Sequence, residues 1–203
     1  MKRPSMRCMA VRYAGAVPDA WHVPSAIQVS RCPMMLAAME SYAVVDVETT
    51  GFDPLRDRIV EVGVVQLDGG RIGGEWSSLV RPGIPIPPLA QATHGICDAD
   101  VQDAPELWEL LPTIEDLVEG RTIVAHHATF DRNFLWTLRR PWICTLELAR
   151  RAYPSAPNHR LGTLVHYLGL SHRLSSQRLH RALSDAQATA HLLMSCLEHL
   201  KAA

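Results

Sequence analysis

The sequence predicts an α/β fold: a mixed five-stranded sheet, with a three-strand antiparallel meander plus two parallel strands, and helices on its faces. Three observations lead there. Residues 42–48, 58–67 and 71–80 read as successive strands, and the turn signal Asp68-Gly69-Gly70 joins the last two. Two short apolar runs, 121–126 and 142–146, then alternate with helical periods, as parallel strands joined by crossovers do. The chain has 203 residues, 47% of them apolar and 20% charged, enough to close one core without disulfides or a structural metal.

Residues 1–38 are rich in Met, Pro, Ser and Arg and show no period. They are expected to be a disordered or loosely attached arm, and residues 39–203 a single folded domain. The first strand lies in AVVDVETTGFDP, residues 43–54. Successive strand side chains point to opposite faces, so Asp46 and Glu48 share a face with Val44, and Ala43, Val45 and Val47 occupy the other. Apolar residues on both faces mean a strand covered on both sides. RIVEVGVVQL, at 58–67, is rich in β-branched residues, and 71–80 returns beside it. The prolines of RPGIPIPPLA, at 81–90, exclude a regular element there. Residues 105–118 read as a helix with Pro105 in its first turn. Further helices are expected over 128–139, 145–152, 160–168 and 182–199.

Several classes drop out. The five cysteines are odd in number and scattered, with no CxxC pair, which favours free thiols in a reducing compartment. No apolar run approaches the roughly 18 residues of a membrane span. Arg12 interrupts the one candidate signal-peptide core, so a cytoplasmic location is expected. Charge is uneven: net +4 over residues 1–39, −12 over 40–120 and +7 over 121–203. That distribution suits an acidic site beside a basic rim and excludes a generic polycation.

The acids converge on paper. On the helix beginning near 128, Asp131, Phe134, Leu135 and Leu138 lie at i, i+3, i+4 and i+7, so Asp131 heads a core-facing stripe. On the last helix Asp185 heads another, with Ala188, Thr189, Leu192 and Cys196. Asp46, Glu48, Asp131 and Asp185 are therefore expected at the core-facing ends of three elements. Two carboxylates about 5 Å apart repel by about 3 kcal/mol at an effective dielectric of about 20. Four converging oxygen ligands suit hard divalent cations. His180 precedes Asp185 by five residues and would lie about 140° away on a common helix, so it is placed in the cap before the helix, over the Asp185 site. A histidine there suits a general base. A zinc site at His126 and His127 is disfavoured, because adjacent residues leaving a strand point apart.

With these residues in place, DVETTGF (46–52), AHHATFD (125–131) and HRALSDA (180–186) resemble the three motifs of the DEDDh-type 3′–5′ exonucleases, among them the proofreading exonuclease subunit of bacterial DNA polymerase III. THGI at 93–96, CTLELARR at 144–151 and LGTL at 161–164 resemble further family segments. A tyrosine-type relative would carry tyrosine four residues before the last aspartate; Arg181 stands there, which favours the histidine type. The resemblance covers residues 40–200 and implies a ribonuclease H-like fold. It further implies two divalent cations, Mg²⁺ or Mn²⁺, held by Asp46, Glu48, Asp131 and Asp185, with His180 deprotonating the attacking water. The implied product is a nucleoside 5′-monophosphate from the 3′ end of single-stranded DNA. Thr49, Thr50 and Gly51 are expected near the terminal nucleotide, and His94 and Phe130 beside its sugar or base.

The family commonly has asparagine after the second-motif histidine, where this chain has His127, a change expected to alter contacts around the metals or substrate preference. No polymerase-binding tail is visible after the last helix, which favours a stand-alone exonuclease or an exonuclease domain with an unusual N-terminal arm, with a DNA polymerase subunit as a candidate partner. RNA trimming is the nearest alternative, since 2′-hydroxyl recognition rests on few contacts. A non-catalytic nucleic-acid-binding or polymerase-partner subunit is the rival from another class.

Overall fold

The computed structural model describes residues 41–174 and 180–202; the expected arm, residues 1–38, lies outside them. Five strands, β1 (Ser41–Thr49), β2 (Ile59–Asp68), β3 (Arg71–Leu79), β4 (Thr122–Ala125) and β5 (Trp142–Cys144), form one sheet in the order β3-β2-β1-β4-β5. β1, β2 and β3 are antiparallel neighbours, whereas β1–β4 and β4–β5 pair in parallel. This is the predicted meander plus two parallel strands, the ribonuclease H-like arrangement. Gly69 and Gly70 close the β2–β3 hairpin with φ of 54° and 75°. Two successive positive φ values are what a two-residue hairpin needs and glycine supplies.

The helices are α1 (Pro88–His94), α2 (Asp98–Val101), α3 (Leu107–Val118), α4 (Thr129–Phe134), α5 (Thr145–Ala152), α6 (Leu161–Tyr167) and α7 (Ala182–Ala202), with a 3₁₀ turn at Leu170–Arg173. β1 is covered on both sides, as its composition requires. Ala43, Val45 and Val47 pack with Val62, Val64, Ile114, Val118 and Phe134 on the α3 face. Tyr42 and Val44 pack with Val65, Leu67, Ala186, Ala190 and Leu193 on the α7 face. Burying a Val or Leu side chain contributes about 1.5–3 kcal/mol, so these two faces dominate the fold's stability. α7 buries the expected stripe against the α5–α6 side, where Leu192 and Cys196 meet Ala149 and Leu164 and Ala188 meets Val165 and Leu170, while Ala186, Ala190 and Leu193 beside it meet the sheet. A helix apolar around most of its circumference belongs between layers, here the sheet and the α5–α6 pair.

Three expectations need correction. The proline run is not wholly irregular, because Pro88 begins α1, where its missing N–H would be unpaired in any residue. The helix expected from 105 begins at Leu107, set by a capping box in which Glu106 and Glu109 accept each other's N–H groups. It also tolerates Pro112 in its interior. The helix expected over 128–139 ends at Phe134, and the chain continues in tight turns such as Leu138 N–H to the Leu135 carbonyl. Phe134, Leu135 and Leu138 are still buried, so the apolar stripe outlasts the helix. Among the described residues no helix is long and apolar enough to cross a membrane.

Candidate active site

The site forms where β1, α4 and the start of α7 meet. Asp46 and Glu48 leave β1 on the α7 face, two positions apart. Asp185 is the fourth residue of α7 and turns toward them. One carboxylate oxygen from each of Asp46, Glu48 and Asp185 lies within 4.8 Å of the others. Asp131, the third residue of α4, is 2% exposed and lies outside this 4.8 Å set, but close enough that its charge acts on Asp46. Its own backbone and that of Val47 favour its charged form. The β1–β4 ladder ends at the Val44–Val124 pair, which leaves the β1 backbone beyond it to α4.

The electrostatics are those of too many acids in too little water. Burial, then the charges of Asp131, Asp185 and Glu48, raises the Asp46 pKa well above the carboxylate range. Burial, then Asp185 and Glu61, pushes Glu48 up to about 8, against the pull of Arg181. Burial likewise lifts Asp131 to about 8 despite the opposing effect of its own and the Val47 backbone. Asp185 rises only to about 6, because the His180 N–H offsets part of its burial. Such a cluster is stable when it is protonated or when positive charge joins it. The trio offers oxygen donors alone, on a strand and a helix fixed by the core, and this fits a hard divalent cation.

His180 lies two residues before α7, exposed, with φ of 67°. Its backbone N–H reaches both Asp185 oxygens at 3.2 Å. It therefore sits in the cap before the helix, beside Asp185. The second-motif histidines have separate environments. His126 is engaged at both ring nitrogens, Nδ1 with Thr145 Oγ1 at 2.9 Å and Nε2 with the His159 carbonyl at 3.0 Å, and burial lowers its pKa to about 4. His127 is exposed with φ of 68°. That left-handed conformation favours glycine and asparagine, and it tolerates histidine better than branched residues.

The residues expected to meet substrate divide. Thr49 Oγ1 donates to the Gly51 carbonyl at 2.6 Å, and Thr50 Oγ1 donates to Asp57 while accepting the Arg58 N–H. A Cβ on Gly51 would lie 2.4 Å from the Asp57 carboxylate. These three residues brace the loop after β1. His94 is 2% exposed; its Nδ1 accepts the Ile96 N–H at 3.0 Å. Burial lowers its pKa, and the nearby Thr49 backbone offsets part of that shift. Phe130 is half-buried and forms a tilted row with Phe134 inside and Phe52 outside, at centroid distances of 5.1 and 6.3 Å.

Two features escaped the sequence reading. Phe52 is 86% exposed at the end of this aromatic row. Glu61 is 4% exposed in β2, directly opposite Glu48, and is paired with Arg181 at 2.6 Å. A lone acid inside the apolar IVEVGVV carried the same signal as Asp46 in AVVDV.

Comparison with known proteins agrees with this geometry. The exonuclease family model matches residues 43–193. The chain is 36% identical over 172 residues to a PolC-type DNA polymerase III of Bacillus cereus, covering 80% of this chain but 12% of that protein. It is 31% identical over 169 residues to the DNA polymerase III subunit epsilon of Aquifex aeolicus, covering 79% of this chain and 82% of that one. Among solved structures it is similar to an exonuclease X in complex with 5′-overhanging duplex DNA, with a TM-score of 0.67, 34% identity, and coverage of 77% of this chain and 91% of that chain. With Asp46, Glu48 and Asp185 of its first and third motifs brought within 4.8 Å and the family match spanning residues 43–193, the chain belongs to the exonuclease family.

Proposed function

We propose that this protein is a 3′–5′ exonuclease that releases nucleoside 5′-monophosphates from single-stranded DNA with the help of two divalent cations, Mg²⁺ or Mn²⁺. The observation that carries this reading is the convergence of Asp46, Glu48 and Asp185 within 4.8 Å, backed by buried Asp131. These four residues would hold the cations. Bound divalent ions supply the charge that lets the acids coexist and the Lewis acidity that phosphodiester hydrolysis requires.

The chain's own residues do the rest. His180, exposed beside Asp185, accepts the proton of the attacking water. The braced loop of Thr49, Thr50 and Gly51 sets the floor under the terminal nucleotide, and His94 buttresses that loop from below. Phe130 and Phe52 offer ring faces on which a base of any identity can stack. The names of the polymerase III relatives support DNA as the substrate and replication or repair as its setting.

The test is a time course on matched, uniformly labelled DNA and RNA oligonucleotides, with Mn²⁺ and with EDTA. The expected result is stepwise shortening of DNA with release of 5′-mononucleotides, slower shortening of RNA, and none in EDTA. Tight binding without any release would instead identify a non-catalytic nucleic-acid-binding subunit.

A further inference from the structure

A fifth carboxylate beside an already crowded site needs a reason. Glu61 faces α7 from β2, opposite Glu48, and its charge raises the pKa of Asp46, Glu48 and Asp185. Left alone it would only worsen their repulsion. It is not left alone. Arg181 Nε donates to both Glu61 oxygens at 3.0 and 3.2 Å, and Nη2 donates to Oε1 at 2.6 Å. The backbone N–H of Ala182, an unpaired donor of the first turn of α7, donates to Oε2 at 2.9 Å. Two residues along β2 on the same face, Gly63 meets Ala182 so closely that a Cβ would fall 2.4 Å from its carbonyl carbon. Glu61 and Gly63 thus form a seat for the beginning of α7. His180 is the residue immediately before the clamped Arg181, and its own N–H is tied to Asp185.

We propose that Glu61 and Arg181 are positioning residues, a clamp between β2 and the start of α7 that fixes where the His180 imidazole stands. The inference rests on the exonuclease reading above, with His180 as the proton acceptor. The fork of an arginine holds both direction and distance, which a lysine at 181 would not. With the clamp intact, Arg181 beside His180 is held by three side-chain hydrogen bonds to Glu61, the next residue Ala182 by a fourth, and the His180 amide by Asp185. Without it, residues 180 and 181 pivot on the helix end.

The experiment is a kinetic cycle on the full chain. Arg181→Ala and Glu61→Gln are each made in the wild type and in a His180→Ala background, with Mn²⁺ saturating. Loss of a partner that orients a reacting group typically costs about 10- to 100-fold. The expected result is a kcat lower by about that factor in the wild-type background, KM and oligonucleotide affinity within about threefold, and little further loss on top of His180→Ala. Arg181→Lys should recover only part of the rate. Losses that multiply with His180→Ala, or a higher Mn²⁺ requirement that accounts for the lost rate, would overturn the clamp, because they would mean a role in phosphate binding or metal affinity. Should Arg181→Ala fail to fold with Glu61 buried and unpaired, the double variant Glu61→Gln/Arg181→Met removes both charges and enters the same cycle. A wild type without nuclease activity would refute the exonuclease reading itself and is thereby distinguished from failure of the clamp.

Discussion

At His127 the backbone has φ of 68°, a region closed to branched side chains and open to glycine, asparagine and, less readily, histidine. The departure from the family's usual asparagine is therefore first a matter of backbone shape. His127→Asn should leave Tm nearly unchanged. His127→Val should lower it by several degrees, since a strained non-glycine φ costs about 1–3 kcal/mol and each kcal/mol moves Tm by about 2–4 °C in a chain of this size. Thermal unfolding of the two variants checks this, and equal melting points would contradict it. Phe52 poses the opposite case. At 86% exposure it contributes little to the fold, yet it ends the aromatic row with Phe130. Phe52→Ala should keep Tm and weaken single-strand binding by about 1–3 kcal/mol, the contribution of one stacked base. Fluorescence anisotropy on a labelled oligonucleotide measures it.

At the scale of elements, β1 and α7 carry the site, and both were legible. The two-residue period of AVVDVE put Asp46 and Glu48 on one face, and the helical period put Asp185 at the head of a buried stripe. Asp131 was legible for the same reason, although its helix is shorter than its apolar stripe. Local pattern failed where the deciding contact was distant or conformational. Glu61 and Arg181 are 120 residues apart, so nothing nearby in sequence announces their pairing. Pro88 reads as a breaker until it is seen at a helix's first position. The seat under α7 yields a prediction of its own. Gly63→Ala should lower Tm and slow the enzyme together, because its Cβ meets backbone at 2.4 Å and α7 must lift. Gly74→Ala meets the flexible end of Gln66 at 2.6 Å and should be milder on both counts. Circular dichroism melts of the pair test it; the reverse ranking would mean that α7 does not bear on β2 as described.

For the whole molecule the site is a standing electrostatic load, and its sign can be worked out. Glu48 and Asp131 have folded-state pKa values of about 8, far above the unfolded carboxylate range. Between about pH 4 and 8 the folded state therefore binds more protons than the unfolded one, and stability falls as pH rises. His126, lowered to about 4, acts in the opposite direction, but its contribution is complete by about pH 6.5, the unfolded histidine value. From about pH 6.5 to 8 the raised carboxylates act without that opposition. Divalent cations that bind only the folded state should offset the decline. Replacing Asp46 by Asn removes one of the crowded charges and should flatten the curve, with loss of cleavage.

The central claim is that the four acids form one cation-binding centre, and the most direct measurement is Tm against pH from 6.5 to 8.5, in EDTA and in millimolar Mn²⁺, for the wild type and Asp46→Asn. The account predicts a falling Tm for the wild type in EDTA, a rise in Mn²⁺ that grows with pH, and a smaller response to both in Asp46→Asn. A wild-type Tm that neither falls with pH in EDTA nor responds to Mn²⁺ would contradict it.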